Sequence, residues 1–375
     1  MRRVVLLNSY STASHALWER GMLVHLPTAA QKSGEEVEVM AISLPGRHWK
    51  WRMQASALTL VERLESKGIF DNEVDAFIVT DMMDVGQFRA ALPKAHRGVP
   101  IVLYFHENQL TFPDHPEREK REWDRHYAFM NLTSALLADA VWFNSDYHRG
   151  AFLNAIPAFL KALPAPRPMQ AESRILAKSK VVPIGIDDAV FEAGLHGQKR
   201  FEEGAPIVVW NHRWEYDKGP RAFYDLLLSV KRRGIGFRLA VLGQSFQSVP
   251  AVFDEMRVAF GDRIVHWGHV DSREEYLGHL ASCQVALVTA HHDFFGISVL
   301  ESAAAGLNVV APSELSYPEH FGRKNLCERE ELEAALSQAL LSTKTAPLIE
   351  QASLYRWHNV SHRAWKCLNQ VWKAQ

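Results

Sequence analysis

Two carboxylates and two cations in this chain have the types and spacing that diphosphate and sugar chemistry would use. Asp293 and Glu301 stand eight residues apart in Asp293-Phe294-Phe295-Gly296-Ile297-Ser298-Val299-Leu300-Glu301. Upstream, Trp210-Asn211-His212-Arg213 is followed by Glu215-Tyr216-Asp217-Lys218-Gly219-Pro220. Ionised carboxylates are strong acceptors for vicinal hydroxyls. Two cations beside a helix N-terminus, which Pro220 is placed to open, favour a diphosphate and its growing charge as it departs. If the intervening residues are helical throughout, the two acids lie ~12 Å apart along the axis. That span places one near a transferred sugar and the other near a ribose.

Two further polar groups follow apolar runs. His106-Glu107-Asn108-Gln109 comes directly after Ile101–Phe105, where His106 can reach a ligand at a strand end. The second histidine of a His-Glu-x-x-His zinc site is absent. The small, polar stretch Ser9 to His15 follows the first apolar run and reads as a loop that lets a substrate approach closely. Other patterns lack the companions their chemistry needs. Gly234-Ile-Gly236 precedes a strand and has no third glycine, and neither His291-His292-Asp293 nor His266-x-x-His269 has metal-ligand spacing around it.

The elements that must position these groups recur along the chain. Short apolar runs at Val4–Leu7, Phe77–Thr80, Ile101–Phe105, Val141–Asn144 and Val181–Ile184 alternate with helical patterns. The alternation restarts at Ile207–Trp210 and continues through Arg238–Leu242, Val285–Thr289 and Val309–Ala311. Such strands belong to parallel sheets covered on both faces, so the fold class is α/β with two doubly wound, Rossmann-like domains. The expected division is 1–190, 191–350 and a C-terminal helix over 351–375, with a linker through Asp187–Pro206. From Trp365 that helix carries an apolar stripe, expected to pack back on the N-terminal domain.

With 375 residues, two cores are affordable by length. The balance of 42 Lys and Arg against 43 Asp and Glu excludes any inference of a nucleic-acid partner from overall charge. Three scattered cysteines, Cys283, Cys327 and Cys367, form neither a disulfide framework nor a metal pattern, which suits a reducing cytoplasm. The start, Met-Arg-Arg-Val-Val-Leu-Leu-Asn, reads as a buried strand rather than a secretory signal, and no apolar run reaches membrane-spanning length. Locally, Pro157 to Lys180 carries five cations against Glu172, as either a solvated connection or a basic acceptor surface. Arg118, Lys120, Arg121 and Arg125 are diluted by Glu117, Glu119, Glu122 and Asp124 and read as a solvated helix face. Arg47-His48-Trp49-Lys50-Trp51-Arg52 interleaves cations with aromatics, which suits phosphates and stacked bases, or equally a helix packing its tryptophans inward.

Arg213-x4-Lys218-Gly219 followed by Asp293-x7-Glu301 resembles the family 4 glycosyltransferases of the GT-B fold. The resemblance implies a retaining, metal-independent transferase gripping a nucleotide-sugar in the cleft between its domains. It implies that Arg213 and Lys218 contact the diphosphate, Glu301 the ribose and Asp293 the donor sugar, with Phe295, Gly296 and Ile297 at the same donor site. His106 would face the sugar from the N-terminal domain. The first acid of that motif is usually glutamate, and here it is the shorter Asp293. The glycine pair common in the first loop of such enzymes is replaced by Ser11-Thr12-Ala13-Ser14-His15.

More specific motifs run along most of the chain: Leu44-Pro45-Gly46-Arg47-His48-Trp49-Lys50-Trp51-Arg52, Leu103-Tyr104-Phe105-His106-Glu107-Asn108-Gln109, Phe143-Asn144-Ser145, Pro164-Ala165-Pro166-Arg167-Pro168 and Trp210-Asn211-His212-Arg213-Trp214-Glu215. Together they resemble the tRNA-queuosine mannosyltransferase family. That resemblance implies GDP-mannose as donor, no separate cofactor, and the cyclopentene-diol of queuosine in a tRNA anticodon as acceptor. Acceptor contacts then fall to Ser14, His15, Arg47, Trp49, Lys50, Arg52, Glu107 and Asn108. A transferase acting on a lipid, polysaccharide or small molecule would share every donor residue. A sugar-nucleotide epimerase and a non-catalytic tRNA-binding protein are the remaining alternatives.

Overall fold

The computed structural model describes residues 1–113, 124–197, 204–245, 249–342 and 348–374. The chain forms two compact units, Met1–Gly185 with Trp357–Gln375, and Ile186–Arg356. The acidic and basic stretch from Glu117 to Glu122 lies outside the described residues.

The first unit is built on β1 (Arg2–Ser11), β2 (Val37–Pro45), β3 (Ala76–Thr80), β4 (Ile101–Phe105), β5 (Ala140–Phe143) and β6 (Ser179–Val181). All neighbours run parallel, in the order β2-β1-β3-β4-β5-β6. Every residue of β3 and β4 is buried, as expected of strands covered by helices on both faces. β1 is flanked by β2 and β3, so the sheet's winding reverses beside it, where the strand ends open a crevice. β2 is a strand that the apolar-run pattern missed. Its residues are mostly half-buried, and Val37-Glu38-Val39-Met40-Ala41-Ile42-Ser43 does not read as a continuous apolar block.

The second unit holds β7 (Ile207–Asn211), β8 (Arg238–Leu242), β9 (Ile264–Gly268), β10 (Val285–Leu287) and β11 (Asn308–Val310), all parallel, in the order β11-β10-β7-β8-β9. Its reversal lies between β7 and β10, the two strands that lead into the Arg213/Lys218 and Asp293 segments. β9 also escaped the pattern, being an edge strand with His266 and Trp267 in it and no residue fully buried. The expected linker through Asp187–Pro206 is corrected: Asp188–Gly197 is a helix. Arg356 lays its guanidinium 3.7 Å from the Phe191 ring on that helix and also pairs with Asp188.

The helix Trp357–Lys373 belongs to the first unit and packs on the helix Ala13–Lys32. Its first residue anchors it. Trp357 is stacked on His25, with ring centroids 5.6 Å apart and planes at 5°. Glycine on both sides makes the room: a Cβ on Gly21 would fall 1.8 Å from the indole, and one on Gly185 2.2 Å from it. Farther along, Trp372 donates from its indole N–H to the Asp75 carbonyl, and Arg2 covers its ring at 4.1 Å. Trp357→Ala is expected to lower the unfolding free energy by about 3–5 kcal/mol, measured by urea denaturation. A change under about 1 kcal/mol would show that the indole is not a core anchor.

Candidate functional site

In the second unit, the turn after β7 and the loop after β10 are tied into one structure around Lys218. The Lys218 ammonium, only 10% exposed, donates to the His292 carbonyl at 2.8 Å and stands 3.3 Å from Asp217 and 3.7 Å from Asp293. The backbones interlock as well. His291 and His292 N–H both donate to the Asp217 carbonyl, and the Thr289 hydroxyl donates to the Lys218 carbonyl. Gly219, at φ 66°, is what allows the approach: a Cβ there would sit 2.1 Å from the Thr289 oxygen. Pro220 opens the following helix, Pro220–Arg232, as its position suggested.

Asp293 stands before its helix rather than in it. The helix is Ile297–Ala304, and Asp293 Oδ1 accepts from the Gly296 N–H at 2.8 Å, so the continuous helical span expected between the two acids is corrected. Its other oxygen receives the Tyr317 hydroxyl at 3.3 Å. Burial raises the Asp293 pKa, but Lys218, the neighbouring histidines and the Gly296 N–H outweigh it and hold the carboxyl ionised below its usual range. Gly296, at φ 78°, has no room for a Cβ against Tyr317. Phe295 is buried, and its carbonyl accepts from Ser316 and from His320. Arg213 differs from Lys218: its side chain is 44% exposed and pairs with Glu215 at 3.1 Å.

Glu301 is buried and held by two donors. Arg273 meets Oε1 at 2.5 Å and the Tyr276 hydroxyl meets Oε2 at 2.9 Å. Asn211, at the end of β7, donates to the Tyr276 oxygen, the Ser298 carbonyl and the Ser302 hydroxyl, linking that strand to the Glu301 helix.

In the first unit, the ends of β1, β3 and β4 converge. His106 is buried and stacked face to face on His15, with centroids 3.8 Å apart, while Trp18 meets it edge-on at 5.0 Å. Its N–H donates to Asp81 at 2.9 Å and its carbonyl accepts from Asn144. Its Nε2 has no hydrogen-bond partner among the described residues. Burial, then His15 and His148, push the His106 pKa well down, so the ring is neutral. Asp81 is shifted well up by burial and by Glu107. The expected Ser9–His15 loop is corrected to a single residue. β1 runs to Ser11, and Ser14 and His15 sit in the first turn of the helix Ala13–Lys32, with His15 buried. Asn108 is also buried. Its side-chain Oδ1 accepts from the Leu110 and Thr111 N–H groups, so it builds the loop after β4, and Glu107 accepts from Gln109 at 3.1 Å.

The cation-aromatic segment turns on His48, a non-glycine residue at φ 56°, and its helix Trp49–Ser66 starts there. The two tryptophans part company. Trp49 packs edge-on against Tyr127 at 5.2 Å with Lys50 near both rings, whereas Trp51 is 60% exposed. Arg47 is exposed, and Arg52 donates to the Pro45 carbonyl. In the Pro157–Lys180 stretch, Lys178 donates to the Leu136 carbonyl and to that of Ala138, and burial takes its pKa down to about 8. That lysine holds the end of the helix Asp124–Leu137 rather than a surface charge. Arg273, Tyr276, Tyr317, Asp81 and Asp217 were not singled out by their own signals. Arg273 and Tyr276 share a face at i and i+3 behind the cap Ser272, which is the pattern that would have found them.

Two doubly wound units of parallel strands are the architecture of the GT-B fold, and solved structures share it. Sucrose-phosphate synthase from Thermosynechococcus elongatus matches with a TM-score of 0.68 over 100% of both chains at 13% identity. Anabaena HepE, solved in complex with UDP, matches with a TM-score of 0.64 over 99% of this chain and 100% of its own at 15% identity. Residues 205–343 match the glycosyl transferases group 1 family. Residues 3–186 match the tRNA-queuosine alpha-mannosyltransferase N-terminal family. The tRNA-queuosine alpha-mannosyltransferase of Drosophila melanogaster is 32% identical over 289 residues, covering 76% of this chain and 74% of that protein. The chain belongs to the tRNA-queuosine alpha-mannosyltransferase family. No helix among the described residues is long and apolar enough to cross a membrane.

Three histidines of the second unit titrate far below the ordinary range. His212, His292 and His320 are driven to about 4, first by burial, with Lys218 next for the first two. The unfolded value is near 6.5, so the unfolded chain binds more protons between these limits. The stability they contribute is complete above pH 6.5 and is lost as pH falls toward 4. The His320 tautomer fits this, since Nε2–H must donate to the Phe295 carbonyl at 2.5 Å while Nδ1 accepts from Tyr355 at 2.7 Å. Between pH 7 and pH 5 the loss is about 2 kcal/mol per such group. Urea titrations should show wild type losing stability over that interval and His320→Gln losing less. Equal losses would mean that His320 does not carry this linkage.

Proposed function

We propose that the chain transfers mannose from GDP-mannose to the cyclopentene-diol of queuosine in a tRNA anticodon, with retention at the anomeric carbon. The observation that carries this is the pairing of Lys218 with Asp293 at the reversal point of the second unit, in a chain of this family. The anomeric carbon–phosphate oxygen bond breaks while a bond to the acceptor hydroxyl oxygen forms on the same face. The departing diphosphate takes the hydroxyl proton, so no enzymic nucleophile and no metal or separate cofactor is needed.

Arg213 and Lys218 neutralise charge that grows on the diphosphate, an interaction that is strongest in the transition state. Asp293 is ionised and takes hydroxyls of the donor sugar, beside the backbone of Gly296 and Ile297. Glu301 takes the ribose hydroxyls. From the first unit, neutral His106 offers Nε2 to a sugar hydroxyl and positions it without attacking. Arg47, Lys50 and Arg52 meet tRNA phosphates, and the exposed Trp51 offers a stacking face to a base, while Trp49 packs against Tyr127. Ser14, His15 and Glu107 complete the acceptor side. A tRNA substrate places the reaction in the cytoplasm.

The direct test is nucleoside mass spectrometry of queuosine-containing tRNA after incubation with the protein and GDP-mannose. A hexose added to queuosine is expected, and unmodified queuosine with folded protein would overturn the assignment. Arg213→Ala and Lys218→Arg should each lower turnover by about 10²-fold. Full turnover in both would remove these residues from the diphosphate.

A further inference from the structure

Glu301 is poised by neighbours that no motif contains. Its helix, Ile297–Ala304, is short, and a carboxylate on one flexible side chain does not hold a fixed direction by itself. Two residues one helical turn apart on Arg273–Ala281 supply that direction. Arg273 Nη2 stands 2.5 Å from Oε1 and the Tyr276 hydroxyl 2.9 Å from Oε2, one donor to each oxygen. The guanidinium's other acidic neighbour, Asp187, is 3.9 Å away, so the Glu301 contact sets where Arg273 points. Tyr276 is fixed in turn by Asn211, whose amide also holds the Ser298 carbonyl and Ser302 on the Glu301 helix.

An ionised carboxylate offers about four acceptor sites across its two oxygens. One donor on each oxygen leaves one site on each, a matched pair whose orientation is set and which suits two adjacent hydroxyls. We infer that Arg273 and Tyr276 are positioning residues that hold Glu301 in the orientation that reads a vicinal diol of the donor nucleotide's ribose. This rests on the ribose role given above to Glu301. Burial and Glu301 both raise the Tyr276 pKa, so its hydroxyl stays a donor at neutral pH. Burial works against the Arg273 charge, but Glu301 outweighs it.

The test compares GDP with 2′,3′-dideoxy-GDP by titration calorimetry on the full chain and on Arg273→Lys, Tyr276→Phe and Glu301→Gln. Wild type should prefer GDP by about tenfold or more, as expected when hydroxyls bonded to a charged acceptor are removed. Glu301→Gln should reduce that preference. Tyr276→Phe and Arg273→Lys should each reduce it to less than about threefold, through weaker GDP binding with dideoxy-GDP binding nearly unchanged. If both nucleotides weaken together and the preference survives, Arg273 and Tyr276 support the fold and do not aim Glu301. If wild type binds both equally, the ribose role of Glu301 fails, and this inference with it. A preference lost in Glu301→Gln but intact in the other two variants would overturn only the positioning role.

Discussion

Lys218 carries the only ammonium within reach of two inward-facing carboxylates among the described residues of the second unit, and much around it follows from that charge. Asp217 and Asp293 stand within 4 Å of it, and the His292 carbonyl accepts from it. Carboxylates this enclosed would be expensive to keep ionised without a partner. Burial first, and this cation next, make protonation of His212 and His292 unfavourable, so both rings are neutral while Asp293 is held ionised. The close backbone approach of Gly219 to Thr289 brings the lysine and the acid loop to a common place. A side chain at Gly219 would separate them before any chemistry was at issue.

The first unit solves a different electrostatic problem. The His15–His106 stack has Trp18 edge-on, Tyr104 tilted against it and the buried Asp81 among its neighbours. Burial drives His106 toward its neutral form and pushes Asp81 upward. Such an environment favours the uncharged forms of its groups. In the second unit, by contrast, Lys218 stands between Asp217 and Asp293, and Arg213 pairs with Glu215. The strand ends of the first unit thus gather a neutral imidazole stack, while those of the second gather an ammonium between carboxylates.

The strands, their parallel arrangement and the ends from which the polar groups project were legible because buried strands are short apolar runs and ligands gather at strand ends. β2 and β9 were not legible, since edge positions leave their residues half-exposed and their runs mixed. The helix Asp188–Gly197 escapes the apolar pattern because its glycines and charges outweigh its apolar positions. Arg213-x4-Lys218 and Asp293-x7-Glu301 could be picked out as candidates because each spacing is local. Tyr317 meets Asp293 from 24 residues away, and Arg273 meets Glu301 from 28 residues away. No window of sequence contains both members of such a pair, so tertiary packing alone brings them together. The aromatic-cationic segment was legible in composition but not in orientation, because two tryptophans two residues apart at a helix start look alike until Tyr127 covers one of them.

The shorter first acid gains a reason from the geometry. Aspartate is the side chain whose length lets it accept from a backbone N–H three residues ahead, as helix caps do. Asp293 makes that bond to Gly296, immediately before the helix that bears Glu301. One oxygen is thereby committed to the turn, and the other is left beside Lys218 and the Tyr317 hydroxyl. A glutamate at this position would reach farther but would lose the favourable three-residue closure. The missing methylene thus shortens the side chain while fixing the start of the helix. Precision in the second acid comes from elsewhere, from Arg273 and Tyr276. One carboxylate is oriented by its own backbone and the other by a neighbouring helix, so the distance between them depends on packing rather than on the eight-residue spacing.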